Sequence, residues 1–271
     1  MNNGKPLFYH SIGLPIEARS ADNSEACYKK HTHEEFSVGI VEKGVSEYFN
    51  TRKKEEIGNG STVIINPSDV HSCNPKNGYT WNYKMLFVDP QWLHCIQSEV
   101  LDNTTKEFMP FHQHHLTNQH TFNQFKLLFN ILVSNSSQLH KEQSAISFFS
   151  HLIKEDQGKE TVIKKSKHNA LALARDYITD NFEKNIKIDN IACAAGLSSY
   201  YLIHAFRKEF GMTPHAYQLA RRINKAKTLL RYGTDIASVA VDLGFTDQSH
   251  FHRNFKQIVA ATPKQYKDCF A

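Results

Sequence analysis

Two short stretches of the chain carry side chains that could do recognition chemistry, SYYLIHAFRK at residues 199–208 and QSHFHRNFK at residues 248–256. At 3.6 residues per turn, Tyr200, Ile203, His204 and Arg207 share one helical face, as do Gln248, Ser249, His252, Arg253 and Lys256, with His250 at the margin. Such faces suit the major groove of double-stranded DNA. There Arg or Lys donates to guanine, Gln pairs with adenine, Ser and His reach bases or phosphates, and Ile203 and Tyr200 offer apolar contacts to thymine methyls or sugars. A second constellation lies near the start of the chain. His31 and His33 are followed by His71, and three imidazoles could hold a metal with an open coordination position or touch a small ligand. Trp81 and Tyr83 in YTWNYKM could wall the same site with apolar surface and a hydroxyl.

The elements that must position the first constellation are written twice. Ile188, Ile191, Ala192 and Gly196 recur 48 residues later as Ile236, Val239, Ala240 and Gly244. One residue is then inserted, and Leu202, Phe206, Thr213 and Pro214 recur at 49 as Phe251, Phe255, Thr262 and Pro263. Each copy reads as a short helix, a turn at a glycine that can take the left-handed conformation, and a second helix. Leu202, Phe206 and Phe210 in one copy, and Phe251, Phe255 and Ile258 in the other, turn inward and leave the polar faces out. Between the copies, Thr213 as cap and Pro214 in the first turn open a helix that keeps its period to Arg231. Eighteen residues make a rod of roughly 27 Å, close to the ~34 Å of one DNA turn.

Charge separates the two parts. Residues 1–160 carry 15 Lys and Arg against 18 Asp and Glu, whereas residues 161–271 carry 17 against 9, so the basic surplus lies with the repeat. A net surplus of +8 in that half suits a polyanionic partner. No stretch approaches the ~18 apolar residues of a spanning helix, and the first twenty residues do not read as a secretory signal, so a cytoplasmic protein with no membrane association is expected. The five cysteines, Cys27, Cys73, Cys95, Cys193 and Cys269, are odd in number and never form a C-x-x-C pair, which fits reduced thiols.

The first part reads differently. EEFSVGIVEKGVSEYF, NGSTVIINPSDVH and WNYKMLFVD alternate apolar and polar residues between Gly, Pro and Asn-Gly turns, the pattern of strands in a small barrel or sandwich over residues 29–90. Helical periods follow at 91–101, 121–134 and 141–155, with Phe122, Phe125, Leu128, Phe129 and Leu132 as an apolar stripe. These helices could cover the barrel or form a dimer seam. FHQHHLTNQH, around His112 to His120, reads as a solvated connection because no carboxylate or cysteine stands beside it in sequence. EDQGKETVIKKSKH reads as a linker.

IACAAGLSSYYLIHAFRKEFGMTPHAY, ARRINKAKTLL and DIASVAVDLGFTDQSHFHRNFKQIVAATPKQY together resemble the AraC/XylS-type transcriptional regulators over about residues 168–269. The resemblance implies a seven-helix DNA-binding domain with recognition helices near 199–209 and 247–258. His31, His33 and the GNGSTVIINPSDVHS segment resemble a cupin, which commonly precedes that domain. Ser37 and Val38 stand where a cupin metal site would have its carboxylate, so no metal or other cofactor is expected. The expectation is a two-domain α+β protein. Residues 1–160 form a cupin-like β-barrel with flanking helices that senses a ligand and dimerises the chain, and residues 161–271 form an all-α double helix-turn-helix. It implies a regulator rather than an enzyme, with double-stranded DNA, a small-molecule effector such as an amino acid or sugar, a second copy of the chain and RNA polymerase as partners. The alternative is a metal-dependent cupin enzyme fused to a DNA-binding domain, with His31, His33 and His71 as metal ligands.

Overall fold

A computed structural model describes residues 4, 6–10, 13–51, 53–76, 78–102, 107–157 and 169–270. Eight strands come first: β1 (Leu7–His10), β2 (Ile16–Ser24), β3 (Phe36–Lys43), β4 (Val45–Asn50), β5 (Lys53–Gly58), β6 (Thr62–Ile65), β7 (His71–Pro75) and β8 (Trp81–Val88). Helix α1 (Pro90–Leu101), the short β9 (His115–Leu116), α2 (Gln119–Val133) and α3 (Gln138–Gln157) complete the first part. The second part is helical: α4 (Asn169–Asn181), α5 (Ile188–Ala195), α6 (Ser199–Phe210), α7 (Pro214–Arg231), α8 (Ile236–Asp242), α9 (Gln248–Val259) and α10 (Pro263–Asp268). The expected linker falls largely on 158–168, and the expected boundary at 160/161 lies outside the described residues.

The strands form a six-stranded sheet in the order β1-β2-β8-β3-β6-β9 and a three-stranded sheet in the order β5-β4-β7. Alternation decides what each face meets. Ile16, Ala18, Val38 and Leu86 turn to the helices and pack with Phe125, Phe129 and Phe149 of α2 and α3 in the largest core. The other face, with Val41, Val63, Ile65, Trp81 and Tyr83, meets Tyr48 and Ile57 of the small sheet in a second core. The strands read from the sequence are present, and β1 and β2 precede them unannounced. Those two were hidden because β2 points Glu17 and Arg19 inward, and both are buried, so the strand does not show the apolar alternation expected of a half-buried one.

The helical part has two cores, one for each helix-turn-helix, and the first part enters both. Val70 packs into the core around Leu202 and Phe206. Phe8 packs into the core around Phe251 and Phe255, edge-on to Tyr266 at 5.1 Å.

Candidate nucleic-acid interface and sensor cavity

The two turns are built alike. Gly196 and Gly244 sit at φ 65° and 69°, and the next residue closes the turn, Leu197 N–H donating to Ala192 at 2.9 Å and Phe245 N–H to Ala240 at 3.0 Å. Ser198 and Asp247 then cap α6 and α9 by accepting the amides of Tyr201 and His250. These caps occupy the orphan amides of the first turn and fix where each helix begins.

Leu202 and Phe206 are fully buried, while Tyr200, Ile203, His204 and Arg207 are exposed, Tyr200 at 76%. In the other copy Phe251, Phe255 and Ile258 are buried and Gln248, Ser249, Arg253 and Lys256 are exposed. His250 and His252 are half-buried, with Nδ1 of His250 and Nε2 of His252 turned inward without a partner among the described residues. Each therefore offers only its other ring nitrogen outward. Tyr201, half exposed on α6, was not singled out by the sequence reading. Arg222 of α7 ties the second turn to the α4–α5 connection, its guanidinium donating to the carbonyls of Phe182 at 2.7 Å, Lys184 at 2.8 Å and Gly244 at 2.6 Å.

The three histidines His31, His33 and His71 of the first part come together. The ring of His71 lies 4.3 Å from that of His31 and 4.7 Å from that of His33. Each Nδ1 meets a carbonyl: that of Lys29 at 2.8 Å, that of Glu35 at 2.8 Å and that of Asp69 at 3.0 Å, for His31, His33 and His71 in turn. A carbonyl can only accept, so each Nδ1 carries the hydrogen and Nε2 is the free acceptor. His33 Nε2 lies 3.2 Å from the Ser37 hydroxyl. Burial holds all three imidazoles neutral, with His31 pushed down to about 3, His33 lowered and His71 well below the ordinary value. Among the described residues no group of three His, Cys, Asp or Glu side chains is arranged to hold a metal ion.

His31, His71, Trp81 and Tyr83 line one small cavity between the sheets, about 60 Å³, together with Arg19 and Tyr28. His33 lies beyond it, in a smaller space of about 30 Å³ that Glu17, Arg19, His31 and Phe87 share with Asn224 and Lys227 of α7 and with Ile258 and Val259 of α9. Thus four of the five expected ligand residues meet in one cavity, and the fifth stands where the sensor touches the helical part. Arg19 and Tyr28 escaped the sequence reading. The signal for Arg19 was a charge two residues after Glu17 in an otherwise unremarked strand, and Tyr28, outside any strand, carried none.

The FHQHHLTNQH segment is more than a solvated connection. His112 pairs with Asp156 at 3.0 Å, His115 with Glu55 at 3.2 Å and His114 with Asp69 at 3.7 Å. The fold brings in from distant elements the carboxylates that the local sequence lacks.

Polar contacts cross between the parts along α7. Lys227 pairs with Glu35 at 3.0 Å, Arg231 with Glu17 and with Glu35 at 3.7 Å, and Arg221 with Glu34. Tyr266 donates to Glu17 at 2.9 Å and Asn224 donates to the Thr32 carbonyl at 2.8 Å. Lys227 and Arg231 hold the Glu35 carboxyl below the ordinary carboxylate range despite its burial.

Comparison with known proteins agrees with this geometry. The family model described as AraC-like ligand binding domain matches residues 13–149, and a helix-turn-helix domain model matches residues 191–268. The chain is 29% identical over 240 residues to the HTH-type transcriptional regulator YbfI of Bacillus subtilis, covering 88% of this chain and 86% of that one. It is 23% identical to YdeC of the same organism, covering 93% and 94%. Its fold is similar to ToxT of Vibrio cholerae: an apo variant superposes with a TM-score of 0.63 at 12% identity, covering 97% of this chain and 100% of that one. ToxT with an unsaturated fatty acid bound gives 0.59 at 14%, covering 98% and 96%.

Proposed function

The chain belongs to the AraC family of transcriptional regulators, and from that premise we propose which residues carry its ligand-controlled, sequence-specific binding to DNA. Tyr200, Ile203, His204 and Arg207 of α6 are the first reading face, and Gln248, Ser249, His250, His252, Arg253 and Lys256 of α9 the second. The observation that carries this is the repetition itself: both copies bury the same side of the second helix and expose the donor-bearing side. Selection from random duplexes tests it. The enriched site is expected to hold two elements about 10 base pairs apart, and enrichment of no motif would refute the reading.

The effector site is the cavity between the sheets, with His31, His71, Trp81 and Tyr83 in its wall and His33 at its junction with the helical part. A sensor of similar fold, ToxT, has been crystallised with a fatty acid, which supports control by a small molecule. Because Arg19 and His31 also wall the space beside α7 and α9, a ligand that favours one arrangement of that wall shifts the population competent for DNA. Residues 1–160 are the sensor and residues 161–271 the DNA-binding domain. A homodimer through α2 and α3 is supported by Leu127, Leu139 and Ile146, exposed at 63%, 73% and 44%. Leu127→Asp is expected to give monomers in sedimentation. RNA polymerase is the partner through which bound protein changes transcription. A cytoplasmic location follows from the DNA target, and no described helix is long and apolar enough to cross a membrane. The protein acts by binding rather than by catalysis.

A further inference from the structure

Arg19 is an anomaly of the sensor. Its side chain is buried, 7% exposed, and a guanidinium does not give up its proton in a protein. Its Nη2 donates to the Tyr28 hydroxyl, which lies 2.6 Å from the Tyr83 hydroxyl. The rings of Phe8, Tyr28 and Tyr83 surround its Cζ at 5.1 to 5.5 Å. Its Nε has no partner among the described residues. Arg222 shows what a satisfied buried guanidinium looks like here, with its nitrogens on backbone carbonyls at 2.6 to 2.8 Å. Arg19 has neither carbonyls nor, among the described residues, a carboxylate in contact. Glu17, two residues along the same strand, turns its Oε2 to Arg231 and Tyr266 across the domain interface, and its Oε1 has no partner among the described residues. A buried charge with no counter-charge in contact is costly; Glu17 acts on this one only from beyond contact, and the guanidinium faces a cavity.

The rest of that cavity says what would supply the counter-charge. Val63, Ile65, Met85 and Phe87 make much of its wall apolar, and Trp81 lies over Tyr83 with ring centroids 4.4 Å apart. The Trp81 indole N–H is a second buried donor without a partner among the described residues. The lining contains no Asp or Glu.

We propose that the effector is a small organic monocarboxylate with a flat apolar body, its carboxylate bound by Arg19 and its body held against Trp81 and the aliphatic wall. This rests on the reading of the inter-sheet cavity as the effector site. A sugar brings no charge for Arg19, and the ammonium of an amino acid finds no carboxylate in the lining. A planar carboxylate matches the fork of a guanidinium in a bidentate pair. A phosphate dianion would leave one of its charges without a partner. Occupancy would draw Arg19 away from Tyr28, and Arg19 also walls the space touching Lys227, Ile258 and Val259, so the ligand's charge acts at the base of α9.

The test uses the full chain and five probes: phenylacetate, phenylacetamide, phenylalanine, glucose and phenyl phosphate. Binding is read by thermal shift and tryptophan fluorescence. Phenylacetate is expected to raise the unfolding midpoint and change the fluorescence, with phenylacetamide at least about tenfold weaker. Arg19→Gln is expected to erase that preference for the acid, and Arg19→Lys to restore part of it. If Arg19→Gln does not fold, the acid-to-amide ratio in the unaltered protein decides. Equal binding of amide and acid, or a response only to glucose, phenylalanine or phenyl phosphate, overturns the carboxylate class and leaves the cavity as the effector site. No response to any probe overturns the class as well. Phenylacetate binding undiminished in a folded Arg19→Gln variant overturns Arg19 as the carboxylate's partner, and a raised midpoint with no change in fluorescence, Trp81 being in the wall, overturns the cavity as the site.

Discussion

At the residue scale the protein places ionisable groups where their charge state is fixed by surroundings. His33 and His71 are buried with Nδ1 on a carbonyl, and desolvation keeps them neutral. A histidine whose folded value lies below its unfolded value of about 6.5 binds protons preferentially in the unfolded chain. Its stabilisation is complete above pH ~6.5 and is lost as pH falls toward the folded value, at up to about 1.4 kcal/mol per pH unit for each such histidine. Denaturant midpoints at pH 7, 6 and 5 are therefore expected to fall steeply, and His71→Gln to flatten that slope; an unchanged slope would mean that His71 is already charged in the folded state. Glu35, held low by Lys227 and Arg231, loses its contribution in a separate window, below its unfolded value of about 4.3. On α9, exposed Arg253 has no role in the core, so Arg253→Ala should leave stability unchanged and weaken binding to a selected duplex by about 1–3 kcal/mol if it reads a base. Unchanged affinity and preference in a gel-shift titration would remove it from the interface. The outward faces of α6 and α9 were legible, because they follow from helical spacing. Arg19 and Tyr28 were not, since a buried cation looks like a solvated one until its neighbours are known.

At the scale of elements the duplicated turn makes a sharp comparison. Gly196 and Gly244 share their backbone conformation, yet a Cβ on Gly196 would meet nothing within 4 Å and one on Gly244 would stand 2.1 Å from the Glu183 carbonyl oxygen. Gly196→Ala is expected to cost about 1 kcal/mol, the penalty for a side chain in the left-handed region. Gly244→Ala must also push α4's end away, and its loss in chemical denaturation should be clearly larger; equal costs would show that the α4–α5 connection yields freely. The helices whose bounds were read were legible to within two or three residues, since α6, α7 and α9 carry caps and apolar periods together, whereas α4 and α10 were not read individually. Strands β1 and β2 were not, and the reason is tertiary. Glu17 is an inward residue of β2 because Arg231 and Tyr266 arrive from more than 200 residues away, and no local pattern records that. The His112 to His115 segment was misread for the same reason, its carboxylates coming from β5, α3 and the turn before β7.

At the scale of the whole molecule, α7 serves two purposes: it joins the two helix-turn-helix units and docks both onto the sensor through Arg221, Asn224, Lys227 and Arg231. The polar seam is therefore where the two parts of the chain are tied together. Glu17→Gln leaves Arg231 with the Tyr266 hydroxyl at 2.8 Å and, as its one carboxylate among the described residues, Glu35 at 3.7 Å, and is expected to cost about 2 kcal/mol, less than the ~3–5 of a fully buried broken pair because Arg231 is 28% exposed. Small-angle scattering should report a larger radius of gyration for that variant; unchanged dimensions and stability would show that the apolar contacts of Phe8 and Val70 hold the domains unaided. The two-domain plan and the double helix-turn-helix were readable from the repeat, whereas the seam was not, because its charges lie on faces that look solvated in either part alone. The central claim, that one chain reads two successive turns of DNA with α6 and α9, is tested most directly by hydroxyl-radical footprinting on a selected duplex. The expected result is two protected segments about 10 base pairs apart, one weakened by Arg207→Ala and the other by Arg253→Ala. A single protected segment, or loss of the same segment in both variants, would contradict it.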